Sequence, residues 1–124
     1  MQPHQLIGIP FRLGADPAVD GATDCVNLVL TVLRAQGIPT PQPQGRAWLR
    51  RLRRDGVSVF WDELEAWGRR VGTPGTGTVA LLDGRALAVW WEDGWLALVD
   101  DRVQWVYPPA LQPLAMFGPR NLTS

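Results

Sequence analysis

Cys25 is the only cysteine of this chain and the residue best suited to nucleophilic chemistry. It follows Asp24 in the stretch DCVNLVL, where a helix is expected to begin, so the thiol would lie in the first helical turn. Backbone N–H groups and the positive end of the helix macrodipole favour a thiolate there and can lower the pKa of Cys25. Acyl transfer also needs a base, and the only histidine is His4, close to the N-terminus. The sequence therefore predicts an incomplete nucleophilic site.

Cys25 has two interpretations. It is either a retained nucleophile or a small apolar residue on the inner face of the first helix. His4 would act as its base only if the N-terminus folds back onto the helix, and terminal residues are usually poorly ordered.

Asp16, Asp20 and Asp24 raise the question of a calcium site. Their spacing lacks the alternating D-x-D-x-D-G ligands of an EF-hand loop. We interpret them as turn and cap residues, and the sequence predicts neither a metal site nor a cofactor.

Composition indicates one small domain. The chain has 124 residues, 46% hydrophobic and 19% charged, which suits a single cored domain over residues 1–124. Twelve arginines balance twelve acidic residues with no lysine, so no global basic field would attract nucleic acid. No secretory signal and no apolar run of about 18 residues is visible. We expect a soluble protein made in the cytoplasm, with no membrane partner.

Helical spacing dominates the first part of the chain. The first helix is predicted from Asp24 to Gln36, with Gly37 as its stop. A Pro-rich connection leads to a short second helix, RAWLRRLRRDG, and a third helix follows from the spacing of Phe60, Leu64, Trp67 and Val71.

Alternating spacing begins near Thr78. The stretches TVALL, RALAVWW, WLALV and VQWVY, separated by DG, EDG and DDR, predict an antiparallel meander of about four strands within residues 78–107. The remainder is expected to be an irregular tail that Leu111, Leu114 and Phe117 pin to the sheet. Helices followed by a meander indicate an α+β domain, with Cys25 opening a central helix packed on the sheet.

Two groups of side chains are candidate contact surfaces. The second helix carries an arginine cluster that suits a solvated face, a protein contact or, with less support, nucleic acid. Trp90 and Trp91 are adjacent on one strand, so one of them must point away from the packed face, toward a partner or the tail. The cluster consists of Arg50, Arg51, Arg53 and Arg54.

These residues together resemble a known family. The order IGIPFRLG, then DG, then DCVNLVL in a helix ending at GIP, then a meander, is similar to the NlpC-type papain-like cysteine peptidases. The resemblance is greatest to the variant of phage tails and gene-transfer particles, in which a G-x-P-F/Y-R start leads to a D-C-x-G-L-V helix. It covers nearly the whole chain in order, and its motifs match the first 38 residues. It implies an NlpC-like papain fold.

The resemblance also implies which residues would form the active site. The family nucleophile falls on Cys25 and the acidic position before it on Asp24. The family's catalytic histidine, in a stretch like H-V-A-I-Y, falls on Leu87 of LAVWW, and the third polar member falls on Ala97 of WLAL. Both base positions are therefore apolar, and Asn27 stands where the family prefers glycine.

A nucleophile without a base implies a degenerate enzyme, because general acid–base help is typically worth about 10²–10⁴-fold. The resemblance implies a non-catalytic structural component of a phage tail, at the tail tip, hub or baseplate, located in the virion. Its partners would be other tail proteins, met through Trp90, Trp91, Arg50 and Arg54. The alternative is an active peptidase or amidase that cleaves peptidoglycan with Cys25. A nucleic-acid-binding module has only the arginine helix in its favour.

Overall fold

A computed structural model describes residues 1–40, 57–82 and 86–120. The N-terminal part contains a 3-10 turn, Pro3–Leu6, and the helices α1, Pro17–Asp20, α2, Cys25–Ala35, and α3, Val57–Trp67. The strands are β1, Gly68–Arg70, β2, Val79–Leu82, β3, Ala86–Trp91, β4, Gly94–Val99, β5, Arg102–Val106, and β6, Ala115–Pro119, with a 3-10 turn at Pro108–Ala110. The predicted α+β class is confirmed. The second predicted helix, with its arginine cluster, lies outside the described residues.

Helix α2 forms where the sequence predicts it. The Asp24 carboxylate caps its N-terminus by accepting a hydrogen bond from the Asn27 amide. At the other end Gly37 adopts a left-handed conformation with φ of 71°, and the amides of Gly37 and Ile38 donate to the carbonyls of Arg34 and Leu33. This pairing is a Schellman motif, which favours glycine at that position. Four apolar side chains spaced along one face are buried: Leu28, Val29, Val32 and Leu33.

The sheet contains the predicted meander and two strands more. Over the described residues six antiparallel strands lie in the order β1-β6-β2-β3-β4-β5. Strands β2 to β5 are the expected meander. Positive φ angles at Glu92 and Asp93, and at Asp100 and Asp101, form the tight turns on either side of β4.

The two additional strands correct the sequence prediction. Helix α3 ends at Trp67, so Val71 does not continue its apolar stripe and instead follows β1. Part of the predicted irregular tail forms β6, which pairs with β1 on one side and β2 on the other. Strand β1 is too short for alternation to be detected, and β6 includes Gly118 and Pro119, which strands usually disfavour.

The two faces of the sheet have different covers. One face packs against α2, α3 and the N-terminal turn, and its buried side chains include Leu81, Leu87, Val89, Leu96, Val103 and Phe117. The other face is built on Ala80, Ala88, Ala97 and Trp95, with Leu111 packed against them. Because β5 lies at one edge and β6 lies beyond β2, residues 107–114 must cross this second face. The tail is therefore pinned by Leu111 and Phe117, as predicted, whereas Leu114 is 55% exposed.

Trp90 and Trp91 lie on opposite faces, as the strand alternation requires. Trp90 is partly buried on the second face, where its ring meets Trp95 edge-on at 5.0 Å between centroids. Trp91 is partly buried against the main core. Trp90 therefore lies on the face that the tail crosses. The tail is one of the two neighbours, tail or partner, that the sequence analysis left open for the outward-facing tryptophan.

Candidate functional site

Cys25 lies where helix α2 meets strand β3. It is the first residue of α2, which packs on β3, and the backbone N–H of Leu87 in β3 is close enough to its sulfur to favour the thiolate slightly. The helix start and the strand predicted to carry the family's base are therefore in contact. The side chain at that point of β3 is an aliphatic one, and only 5% of Leu87 is exposed. It can neither accept the thiol proton nor orient a second polar group.

Ala97 does not share the thiol's face of the sheet. It is buried with Ala80, Ala88 and Trp95 on the second face, whereas Cys25 packs against the main core. The residues of β4 on the thiol's face are Leu96 and Leu98, since neighbours along a strand alternate. Ala97 therefore does not lie beside the thiol in the structure. The β4 residues on that face are also apolar.

The Cys25 thiol is held in its protonated form. Burial and, to a smaller extent, the nearby Asp24 carboxylate, which opposes a second negative charge, together raise its pKa from an ordinary value of 9.0 to about 12. Backbone N–H groups, including that of Leu87, act in the opposite direction but do not compensate. The expectation that the helix start lowers this pKa is therefore wrong. A helix terminus stabilises an anion only where desolvation and a neighbouring carboxylate do not outweigh it.

Asp24 is a buried structural carboxylate. It is 1% exposed, and its two oxygens accept hydrogen bonds from the amides of Asn27 at 2.7 Å and Gly14 at 2.9 Å. Burial raises the pKa of Asp24, and the bonds from Asn27 and Gly14 partly offset that rise. Both oxygens are thus used to join the preceding loop to the helix, and Asp24 has no contact that would orient an imidazole.

Asn27 completes this connection. Its side-chain amide donates to the carbonyl of Ala15 at 2.9 Å, and the Thr23 hydroxyl donates to the carbonyl of Asp24 at the same distance. Asn27 therefore fastens the loop over residues 14–15 onto the start of α2. That loop lies beside Cys25 and is held by the same carboxylate that raises the pKa of the thiol.

We expect Asp24→Ala to lower the free energy of unfolding by about 2–4 kcal/mol, because a helix cap is lost and the Gly14 amide loses its acceptor. Asp16→Ala is the matched control. Asp16 caps the one-turn helix α1 at a more exposed site, so its loss should cost about 1 kcal/mol or less. Urea unfolding monitored by tryptophan fluorescence measures both. Equal losses for the two variants would contradict a special role for Asp24.

The pH dependence of stability gives an independent check of Asp24. A raised pKa means that the folded protein holds this proton more tightly than the unfolded chain does. The corresponding stabilisation is fully present below pH 3.8 and is lost as the pH rises through the folded-state pKa. Asp24→Asn should remove this contribution, which unfolding curves of both proteins below pH 3.8 and at neutral pH would reveal.

The remaining polar candidates do not converge on Cys25. His4 is exposed on the first 3-10 turn, and within the described residues no hydrogen bond or ion pair joins it to the thiol. Asp16 caps α1, and Asp20 accepts from the Asp16 amide and pairs with Arg12 at 3.6 Å, so their predicted turn and cap roles are confirmed. Over the ranges that the structure describes, no three His, Cys, Asp or Glu side chains lie close enough to hold a metal ion.

The predicted contact residues are less exposed than expected. Trp90 and Trp91 are both partly buried, and Arg50 and Arg54 lie outside the described residues. Sequence reasoning missed the more exposed aromatic side chains at the far edge of the sheet, where Trp105 is 41% and Tyr107 is 65% exposed. The Trp105 indole donates to the carbonyl of Trp91 at 3.1 Å. The sequence signal that could have identified Trp105 was its position on the last strand of the predicted meander, which lies at the edge of the sheet.

Cys25 does not line any of three open clefts whose walls are made of described residues. No helix within the described ranges is both long enough and apolar enough to cross a membrane.

Comparison of the chain with protein-family models, with curated proteins and with solved structures found no match.

Proposed function

We propose that this chain is a non-catalytic structural component of a phage tail, at the tail tip, hub or baseplate, built on a degenerate NlpC-like domain. The observation that carries the proposal is the junction of α2 and β3. The family's nucleophile position, Cys25, contacts the strand of its base position, and that position holds the buried Leu87. The scaffold of a cysteine peptidase is retained in this interpretation, while its proton-transfer group is replaced.

The chemistry around sulfur supports the non-catalytic part of the proposal. Peptide hydrolysis by cysteine needs a thiolate and a group that delivers a proton to the leaving amine. The groups that act on the Cys25 thiol are the Asp24 carboxylate, which disfavours the thiolate, and backbone amides. The alternative, a peptidoglycan-cleaving enzyme, would require a base beside the sulfur.

Exposed apolar side chains support the assembly part of the proposal. Trp105 in β5 and Tyr107 directly after it form an exposed aromatic surface, and aromatic residues are frequent anchors in protein interfaces. Phe11 and Leu13, which are 44% and 47% exposed, lie on the loop between the first 3-10 turn and α1, which pairs with β5 at Arg102. Surfaces of this kind suit burial by other tail proteins.

Two measurements test the proposal. Purified protein incubated with murein fragments should release no stem peptide beyond that released by Cys25→Ala, and His4→Ala should change nothing. Purified phage particles should contain the chain, with Trp105 protected from oxidative labelling there and labelled in the free protein. Cys25-dependent cleavage would overturn the non-catalytic assignment. A protein that is absent from particles, or a Trp105 labelled equally in both states, would overturn the structural role.

A further inference from the structure

A second polar site lies at the opposite end of the sheet from β5. A cleft of about 180 Å³ is formed by β1, the end of β6 and the loop before β2. Gly118 forms part of its wall, so no side chain of β6 fills the space at that point. This cleft is separate from Cys25 and from the aromatic surface of Trp105 and Tyr107.

The charge of the cleft has one sign. Among the described residues that line it, Arg69 and Arg120 are the ionisable ones and none carries a carboxylate. The remaining polar side chains are the hydroxyls of Thr73, Thr76 and Thr78. Two guanidinium groups and neighbouring hydroxyls are hydrogen-bond donors suited to an oxyanion.

Arg120 is held in place by the backbone. Its Nε donates to the carbonyl of Gly68 at 2.7 Å, and its Nη2 donates to the carbonyl of Glu65 at 2.6 Å. A guanidinium has five N–H donors, so two bonds leave three donors for a ligand. These bonds fix the orientation of the group before anything binds, which lowers the entropic cost of binding.

Arg69 is available for a ligand. No hydrogen bond or ion pair within the described residues occupies it, and it faces the cleft from β1, opposite Gly118. Its neighbour Arg70 points to the other face of the strand, where it stacks over Trp61 at 5.2 Å from the ring centroid. The two arginines are adjacent in sequence and carry the same charge, but only Arg69 faces the cleft.

The loop before β2 brings its hydroxyls to the cleft through a tight turn. The Gly75 amide donates to the Thr78 hydroxyl at 2.9 Å, and the Thr78 amide donates to the Gly75 carbonyl at 2.9 Å. Thr73 and Thr76 lie in the same Gly- and Thr-rich segment, GTPGTGT, and complete the wall. Short side chains and glycines let a ligand approach the backbone closely.

We propose that this cleft binds a phosphate group, presented as a phosphate monoester or a phosphodiester. Arg120 is the pre-oriented donor, Arg69 supplies the second charge, and the threonine hydroxyls complete the contacts to the phosphate oxygens. The cleft of about 180 Å³ is large enough for a single phosphate group, and the polar side chains that line it suit the phosphate oxygens. The recognised feature is therefore the phosphate.

Titration of the full chain with inorganic phosphate tests the site, with amide chemical shifts from NMR as the readout. The amides of residues 72–78 should shift and saturate. Arg69→Gln should raise the dissociation constant about tenfold or more, because a charge-assisted contact is lost. Arg70→Gln is the matched control and should change it less than about twofold. Arg120→Gln should weaken binding too, but it also removes bonds at the end of α3, so Arg69→Gln decides.

The outcomes are distinct. Non-saturating shifts at tens of millimolar phosphate, or equal weakening by Arg69→Gln and Arg70→Gln, would overturn the site in favour of general charge attraction. Titrations with glycerol phosphate, a monoester, and with dimethyl phosphate, a diester, then distinguish the two classes of ligand. Tighter binding of the first supports a monoester ligand, and tighter binding of the second supports a phosphodiester. These results do not depend on whether Cys25 is catalytic or on the presence of the chain in phage particles.

Discussion

Iodoacetamide should modify Cys25 of the native protein about fiftyfold more slowly, or slower still, than Cys25 of the urea-unfolded chain at neutral pH. A pKa of about 12 against an ordinary 9.0 leaves about one-thousandth of the usual thiolate. The thiolate that forms is more nucleophilic, which returns about twentyfold of that deficit. Partial burial of the sulfur adds to the difference, because it restricts approach of the reagent.

The pH profile makes this prediction sharper. The native rate should rise about tenfold with each pH unit from neutral to alkaline conditions, without levelling off below the pKa of about 12. Mass spectrometry of the modified peptide measures the rate at each pH, and Cys25→Ser provides the background. A plateau below pH 8, or a native rate above that of the unfolded chain, would indicate an activated thiolate. Such a result would favour the peptidase alternative.

Trp95→Ala should lower the free energy of unfolding by about 3–5 kcal/mol. Trp95 is 2% exposed, is the largest fully buried side chain among the described residues and packs edge-on against Trp90. Its neighbours on the second face include Ala80, Ala88 and Ala97, which are too small to fill the space that the indole would leave. Partial collapse of the cavity is therefore restricted, and the variant is expected to be near the limit of stability for a domain of this size.

Trp105→Ala is the matched control on the neighbouring strand. Its indole is 41% exposed and makes one hydrogen bond, so truncation should cost at most about 2 kcal/mol. Urea unfolding monitored by circular dichroism compares the two variants without relying on tryptophan emission. If Trp105→Ala were the more damaging change, the packing of the second face would be misassigned, and Trp105 would be a core residue rather than a contact residue.

Helix α2 and the meander were predictable because each rests on local signals. A cap at Asp24, a glycine stop at Gly37 and a periodic apolar face specify the helix, and paired turn residues specify the hairpins around β4. Strands β1 and β6 were not predictable in this way. Their pairing joins segments far apart in sequence, and neither segment carries the alternation that marks an isolated strand.

The candidate site was predictable in position but not in electrostatics. The sequence predicts Cys25 at a helix start, and the family resemblance implies that Leu87 stands at the base position; in the structure, α2 packs on β3, the strand that carries Leu87. The direction of the pKa shift of Cys25 depends on burial of the thiol and on the nearby Asp24 carboxylate, whose two oxygens are held by Asn27 and Gly14. No local sequence pattern reports these effects. The register of β4 is equally sensitive, since a displacement of one residue exchanges the faces of Ala97 and Leu96.

The position of β6 has a consequence for the order in which this protein folds during its synthesis. Strands β2 to β5 pair with their neighbours in sequence and can form early. The pairing of β2 with β6, at Val79 and Phe117, and that of β1 with β6, at Gly68 and Pro119, can form only after β6 has been synthesised. Strand β1 joins the sheet only through β6 in the part of the chain described, so α3 and β1 are expected to dock last. Ribosome-bound chains that end before Ala115 should therefore protect the amides of β3 and β4 from hydrogen exchange while leaving those of β1 unprotected.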